Sequence, residues 1–231
     1  MLICSHVLCK VADIRLAVRD FEDLGFTVEW GSAPERAHNA LIWFPEGPFI
    51  ELFQLPPAFA LLKWPLSAAH GVAAGERLAR WARPGEGWRD VALETAETEL
   101  AATRAGLRAA GVPVSRVMKG TRTRPDAQLV RYQFIAPRPT QLPFVVSSYD
   151  PPQRPAQITH RNGARGITTV RFGVSEADRR TFDALIGADA WLATEDALQT
   201  GVIAVEIAGL EGELDPARLH GAVLTAAARK E

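Results

Sequence analysis

His6 and Glu51 are the side chains of this 231-residue chain whose type and placing most directly suggest chemistry. His6 lies in Cys4-Ser5-His6-Val7-Leu8, where apolar and polar residues alternate as in a half-buried strand. Glu51 lies in Phe49-Ile50-Glu51-Leu52-Phe53, and on a strand Phe49, Glu51 and Phe53 share one face. A carboxylate between two aromatic rings either points into a cavity or has a partner, because burying it alone costs several kcal/mol. Phe49 and Phe53 would then be walls of that cavity, and Glu51 its reactive group.

Further candidates stand at other strand and turn positions. His38 and Asn39 face opposite sides of one strand, so only one of them can join Glu51, and register alone does not decide which. His38 could act as a general base, its ordinary pKa being near neutrality, or be a plain loop-edge histidine. Arg122 and Arg124 share one side of an extended segment. Two guanidinium forks there could hold a carboxylate or phosphate, or Arg124 could pair with Asp126 to fix the turn at Pro125. His160 precedes Asn162-Gly163, a strong turn signal, and reaches a cavity only if the following segment docks beside it. There is no glycine-rich phosphate loop, nucleophile elbow or Cys-x-x-Cys pair.

The elements that must position these residues repeat along the chain. Strand Ile3 to Val11 is followed by a helix capped by Asp13 and stopped at Gly25. Strands Phe26 to Trp30, Asn39 to Phe44 and Phe49 to Gln54 come next. The order returns with strand Asp90 to Thr95, helix Glu97 to Ala110, Gly111, and strands over Val114 to Lys119, Leu129 to Ala136 and Pro143 to Tyr149. A third, shorter copy offers strand Ile167 to Val174, helix Ala177 to Ile186 and strand Val202 to Ala208. An alanine-rich helix is predicted over Asp215 to Glu231.

The fold class is therefore α+β. Two βαβββ modules span residues 1–55 and 86–150, with a helical connection at 56–85, a linker at 151–166 and a partial third module plus C-terminal helix at 167–231. In the connection, Trp64 and Trp81 either close over a pocket or pack against the sheet edge.

Composition narrows the function classes. Apolar residues make up 47% and charged residues 23%, and the net charge is −1. That balance gives no electrostatic reason to expect nucleic acid or an acidic membrane as partner. No apolar run approaches the roughly 20 residues of a membrane span. Cys4 and Cys9 face opposite sides of one strand and cannot pair there, and free thiols suit a reducing compartment, so a cytoplasmic location is expected.

Two consecutive βαβββ modules, with His on the first strand and Glu on the last strand of the first, resemble the vicinal oxygen chelate superfamily. That group includes glyoxalase I, extradiol dioxygenases, fosfomycin-resistance enzymes and bleomycin-binding proteins. Leu24-Gly25-Phe26-Thr27-Val28, His38-Asn39-Ala40-Leu41-Ile42, Ile50-Glu51-Leu52, Gly120-Thr121-Arg122-Thr123-Arg124-Pro125-Asp126, Leu142-Pro143-Phe144 and His160-Arg161-Asn162-Gly163-Ala164 narrow it to the glyoxalase-like domain branch.

The resemblance implies a curved mixed sheet around a cavity and a divalent ion held by the first and last strands of each module. Carried onto this chain, those positions are His6, Glu51, Asp90 and Val146. Valine cannot bind a metal, so His6, Glu51 and Asp90 remain. They would suit zinc, manganese, iron or nickel, or the pocket would have no metal and hold a hydrogen-bonded His6–Glu51 pair. Asp90 could instead pair with Arg89 or another arginine. A metal-dependent lyase or isomerase acting on an oxygen-bearing small molecule is the first reading. Metal-free sequestration of a drug or metabolite is the second, and ring-cleaving dioxygenation the third. Relatives commonly dimerise, and both monomer and homodimer stay open here.

Overall fold

The structure, a computed structural model, describes residues 1–228. In chain order the first module is β1 (Ile3–Lys10), α1 (Ile14–Asp23), β2 (Glu29–Trp30), β3 (Asn39–Ile42) and β4 (Phe49–Phe53). A 3-10 turn (Pro57–Leu62), α2 (Lys63–His70) and α3 (Val72–Ala82) connect it to the second. That module comprises β5 (Gly87–Glu94), α4 (Ala101–Ala109), β6 (Met118–Thr123), β7 (Leu129–Ile135) and β8 (Phe144–Val146). The third unit is β9 (Gly166–Val174), α5 (Glu176–Leu185), β10 (Leu192–Asp196), β11 (Gly201–Ala208) and β12 (Leu224–Ala226).

The two modules make one curved eight-stranded sheet in the order β2-β3-β4-β1-β5-β8-β7-β6. β1 and β5 pair antiparallel at its centre, with Val7 opposite Val91, and neither residue has any exposed surface. Each pairs on its outer side with a parallel strand, β1 with β4 and β5 with β8. The paired-module reading is thus correct.

The register also refines the symmetry. His6 and Asp90 are related across the Val7–Val91 centre, whereas Leu8 lies opposite Glu51 and Ala92 opposite Phe144. Phe144, two residues before Val146, therefore occupies the position answering Glu51. Both residues are apolar, and neither can supply a ligand.

Local chemistry explains the element ends. The Asp13 carboxylate accepts from Arg15 N at 2.8 Å and Leu16 N at 3.1 Å, satisfying the free amides that start α1. After the helix, Gly25 takes φ +90°, and a Cβ there would stand 2.9 Å from Asn162 N. Only glycine permits both the left-handed turn and that approach. Asn162 Nδ2 in turn donates to Leu24 O at 2.9 Å, fastening the linker to the end of α1.

The third unit forms a separate sheet, β10-β9-β11-β12. Its apolar residues Val170, Phe172, Val205 and Ile207 belong to the same buried cluster as Val7, Phe21 and Leu93. The side of the main sheet that carries α1 is thereby covered. The predicted C-terminal helix is not formed. Asp215 does cap a turn, accepting from Ala217 N at 3.0 Å, but only the 3-10 segment Pro216–Arg218 follows. His220 (φ +49°) and Gly221 (φ +74°) then reverse the chain into β12, parallel to β11. Alanine's helix propensity is a weak prior against an available sheet edge and the His220 side chain, which is held by Asp20 at 3.0 Å and Glu86 at 2.9 Å. Residues 229–231 of that expected helix lie outside the described residues. Strand β10 has no apolar alternation to announce it, only Leu192 of its five residues being buried. No helix among the described residues is long and apolar enough to cross a membrane.

Helix α3 is pinned to the second module by charge. Arg77 is 2% exposed and Asp90 3% exposed. The Arg77 guanidinium bonds the Asp90 carboxylate and donates to Leu142 O at 2.6 Å, while Arg80 and the Trp81 indole N–H also donate to Asp90. Removing one member of a buried ion pair strands the other. Arg77→Ala is therefore expected to cost about 3–5 kcal/mol in urea unfolding, and Arg80→Ala, at a more exposed position, distinctly less.

Candidate functional site

The concave face of the main sheet encloses a cavity of about 170 Å³. This is below the ~300–1,000 Å³ of pockets for drug-sized ligands and suits a small metabolite. Its walls alternate out of the strands: His6 and Leu8 from β1, Asn39 and Leu41 from β3, Phe49, Glu51 and Phe53 from β4, and Tyr132, Phe134, Phe144 and Val146 from the second module. Trp81 closes one side, edge-on to Phe53 and Phe144, while Trp64 is exposed.

His6 is held on three sides. Phe49 stacks on its ring at 4.6 Å and Phe144 meets it edge-on at 5.8 Å. A bulge in β1 between Cys4 and His6 brings Ser5 Oγ within 3.2 Å of Nδ1. Ser5 Oγ donates its single hydrogen to Glu94 Oε2 at 2.6 Å. Nδ1 must then be the protonated nitrogen, and Nε2 presents a bare lone pair to the cavity.

That lone pair faces Glu51 Oε2 at 3.4 Å. Two acceptors facing each other repel unless a proton lies between them. Burial raises the Glu51 pKa, opposed by the Asn39 hydrogen bond and the Arg122 charge. Burial, reinforced by Arg122, pushes that of His6 down to about 3. The favoured state is thus a neutral imidazole beside a carboxyl that holds the proton more readily than an ordinary glutamate. Asn39 Nδ2 donates to the other oxygen, Oε1, at 2.7 Å and fixes the carboxyl plane.

Of the residues singled out in the sequence, His6, Glu51, Phe49, Phe53, Asn39 and Arg122 come together around this cavity. Asn39, with Leu41, is the inward residue of β3. His38 is exposed and its side chain lies outside the cavity. Arg124 borders an adjoining cleft, 3.5 Å from Asp126 and 3.4 Å from Gln153 O, and so serves the turn.

His160 is buried elsewhere. It accepts from Thr27 N through Nδ1 at 2.9 Å and donates from Nε2 to Trp43 O at 2.9 Å, tying the segments before β2 and after β3 to the linker. Asp90 is absorbed by Arg77, Arg80 and Trp81 and does not border the cavity.

The structure adds Trp43, Tyr132 and Gln153 to the cavity lining, with Ser5 and Glu94 behind His6. Alternation from Phe134 could have placed Tyr132 on the inner face. The bulge that admits Ser5 and the linker path that inserts Gln153 leave no local pattern. Cys4 and Cys9 are both buried, and burial raises both thiols, Cys9 to about 12, so neither is a nucleophile.

The donor set does not match a divalent centre. His6 and Glu51 offer two ligands where catalytic sites hold three, and no group of three such side chains is gathered among the described residues. The Arg122 charge acting on both groups further disfavours a cation.

Paired βαβββ modules with a His and a Glu facing into one curved sheet define the vicinal oxygen chelate class. Within it, the sequence profile of the glyoxalase-like domain matches residues 4–185, and the chain belongs to that family. A hypothetical protein from Staphylococcus aureus shares the fold at 14% identity, covering 90% of this chain and 92% of its own, with TM-score 0.64. Methylmalonyl-CoA epimerase from Streptomyces coelicolor, solved with 2-nitronate-propionyl-CoA, aligns at 18% identity over 64% of this chain and 96% of its own, with TM-score 0.39. The Mycobacterium tuberculosis epimerase aligns at 20% identity over 62% of this chain and 85% of its own, with TM-score 0.38. Comparison with curated proteins gives no match.

The His6 environment sets a pH dependence. Its folded pKa of about 3 lies below the ordinary value of 6.5, so the unfolded chain takes up the proton first as pH falls. The contribution is intact above pH ~6.5 and drains away toward the folded value. Between pH 6.5 and 4.5 the wild type is expected to lose about 2 kcal/mol more than His6→Gln, measured by urea unfolding at each pH.

Proposed function

We propose that this protein catalyses proton transfer at a carbon beside a carbonyl in a small oxygen-bearing molecule, chemistry of the isomerase or lyase kind. The observation that carries the reading is the buried Glu51 carboxyl, with one oxygen held by Asn39 at 2.7 Å and the other 3.4 Å from the bare Nε2 of His6. A carboxylate made more basic by burial is suited to take a proton from carbon and return it. Glu51 is assigned that role. The reacting form is its carboxylate: Oε2 takes the proton from the substrate carbon and leaves an enolate, the new carboxyl hydrogen-bonds to the bare Nε2 of neutral His6, and the same proton is returned to carbon. The neutral tautomer fixed by Ser5 and Glu94 keeps Nε2 of His6 as the hydrogen-bond acceptor for that carboxyl. The aromatic walls exclude water, which strengthens these exchanges.

A divalent ion, as expected from the resemblance, would need a third protein ligand at this site, and no step is assigned to one. Sequestration without reaction is the second reading. The same two-donor, aromatic-walled cavity supports it, since binding alone needs no reactive carbon.

Deuterium exchange distinguishes the two. Small α-substituted carbonyl and carboxylic compounds incubated with the protein in D2O are expected to gain deuterium at the α-carbon, followed by NMR. Glu51→Gln should slow that exchange about 10²–10⁴-fold. Tight binding of a compound with no exchange above the buffer rate would replace catalysis by sequestration.

A further inference from the structure

Three buried hydrogen-bond donors at the cavity have nothing to donate to. Trp43 Nε1, Arg122 Nη1 and Gln153 Nε2 are each shielded from solvent and without a partner, and all three residues line the cavity of His6 and Glu51. Buried polar groups are nearly always paired, so three orphans around one space mark a missing acceptor. The orientation of Gln153 is set by chemistry. Its Oε1 accepts from Arg122 Nη2, which leaves the amide NH2 as the unpaired end.

Space has been kept for the guanidinium. A Cβ on residue 31 would lie 2.9 Å from Arg122 Nη1 and 1.9 Å from Asn39 Oδ1, so Gly31 gives both side chains room at the cavity rim. Arg122 brings a full positive charge, and Trp43 and Gln153 bring neutral N–H groups. The same cavity is walled by Phe49, Phe144, Trp81 and Tyr149.

We propose that Arg122, Gln153 and Trp43 form a carboxylate-binding subsite, so that the molecule acted on is a small monocarboxylate with an apolar body. The inference rests on the catalytic reading of the same cavity and names its substrate class. A carboxylate satisfies all three donors and neutralises the arginine with charge-assisted hydrogen bonds. Its apolar body then lies against the aromatic walls, beside Glu51.

Matched acid and amide probes test it. Phenylacetate and phenylacetamide, and pyruvate and pyruvamide, are titrated calorimetrically against the whole chain, with inorganic phosphate as competitor. At least one acid is expected to bind about ten- to hundredfold tighter than its amide. Arg122→Gln should collapse that ratio toward one while amide affinity persists, the amide serving as the control for folding. Trp43→Phe, which removes the indole N–H and shrinks the ring, should lower acid and amide affinity alike through lost packing and reduce their ratio several-fold through the lost donor.

Equal binding of acid and amide, absence of binding by either acid, or an unchanged ratio in Arg122→Gln would overturn the subsite. Phosphate displacing the acids at equal or lower concentration would overturn its assignment to carboxylates. Failure of the catalytic reading is separable. Acid preference without α-deuterium exchange removes catalysis and keeps the subsite, while exchange without acid preference does the reverse.

Discussion

The antiparallel pairing of β1 with β5 is the constraint on which the structure depends. Each module carries its own parallel neighbour, and an eight-stranded sheet results only because Val7 and Val91 meet fully buried at the seam. The same seam sets where side chains point. Residues alternating from that centre face either the helices and the second sheet or the cavity, so one register choice decides both the core and the site. A slip of one residue would turn His6 into the apolar core and Val7 into the cavity.

The site uses that geometry economically. β1 and β4 run parallel, placing His6 and Glu51 on adjacent strands with their inward faces aligned. The surroundings set the proton affinity of both groups. The Ser5–Glu94 chain fixes which imidazole nitrogen bears hydrogen, burial weakens the acidity of the carboxyl, and Arg122 limits how far that goes. The electrostatic character of the cavity is therefore shared between the modules: the reactive pair comes from the first, and its tuning from Glu94 and Arg122 of the second.

Much of this was legible in the sequence because periodicity carries it. The paired modules follow from two rounds of strand, helix and three strands, and the inward position of Glu51 from its place between Phe49 and Phe53. Other features depend on contacts far apart in the chain. His38 and Asn39 could be told apart only once β3 was registered against β4, where Leu41 falls opposite Glu51. His160 looked free beside its turn, but its two ring nitrogens are spent on Thr27 and Trp43, more than a hundred residues away. The tail was misread for a related reason. Alanine content speaks of local preference, whereas β12 exists because the edge of β11 was open and His220 was clamped between two acids.

Asp90, the counterpart of His6 across the seam, shows what became of the other half of a two-fold arrangement. Its carboxylate accepts from two arginines and a tryptophan of α3 and its immediate surroundings, and its symmetry-related neighbour is a phenylalanine. A position that could have duplicated the reactive pair has become a strut. The consequence is a division of labour between halves of similar shape. Substitutions at His6 and Glu51 bear on what the cavity does, whereas those at Asp90 bear on whether α3 stays in place as one of its walls. Of two halves alike in shape, one therefore carries the reactive pair and the other holds up the wall beside it.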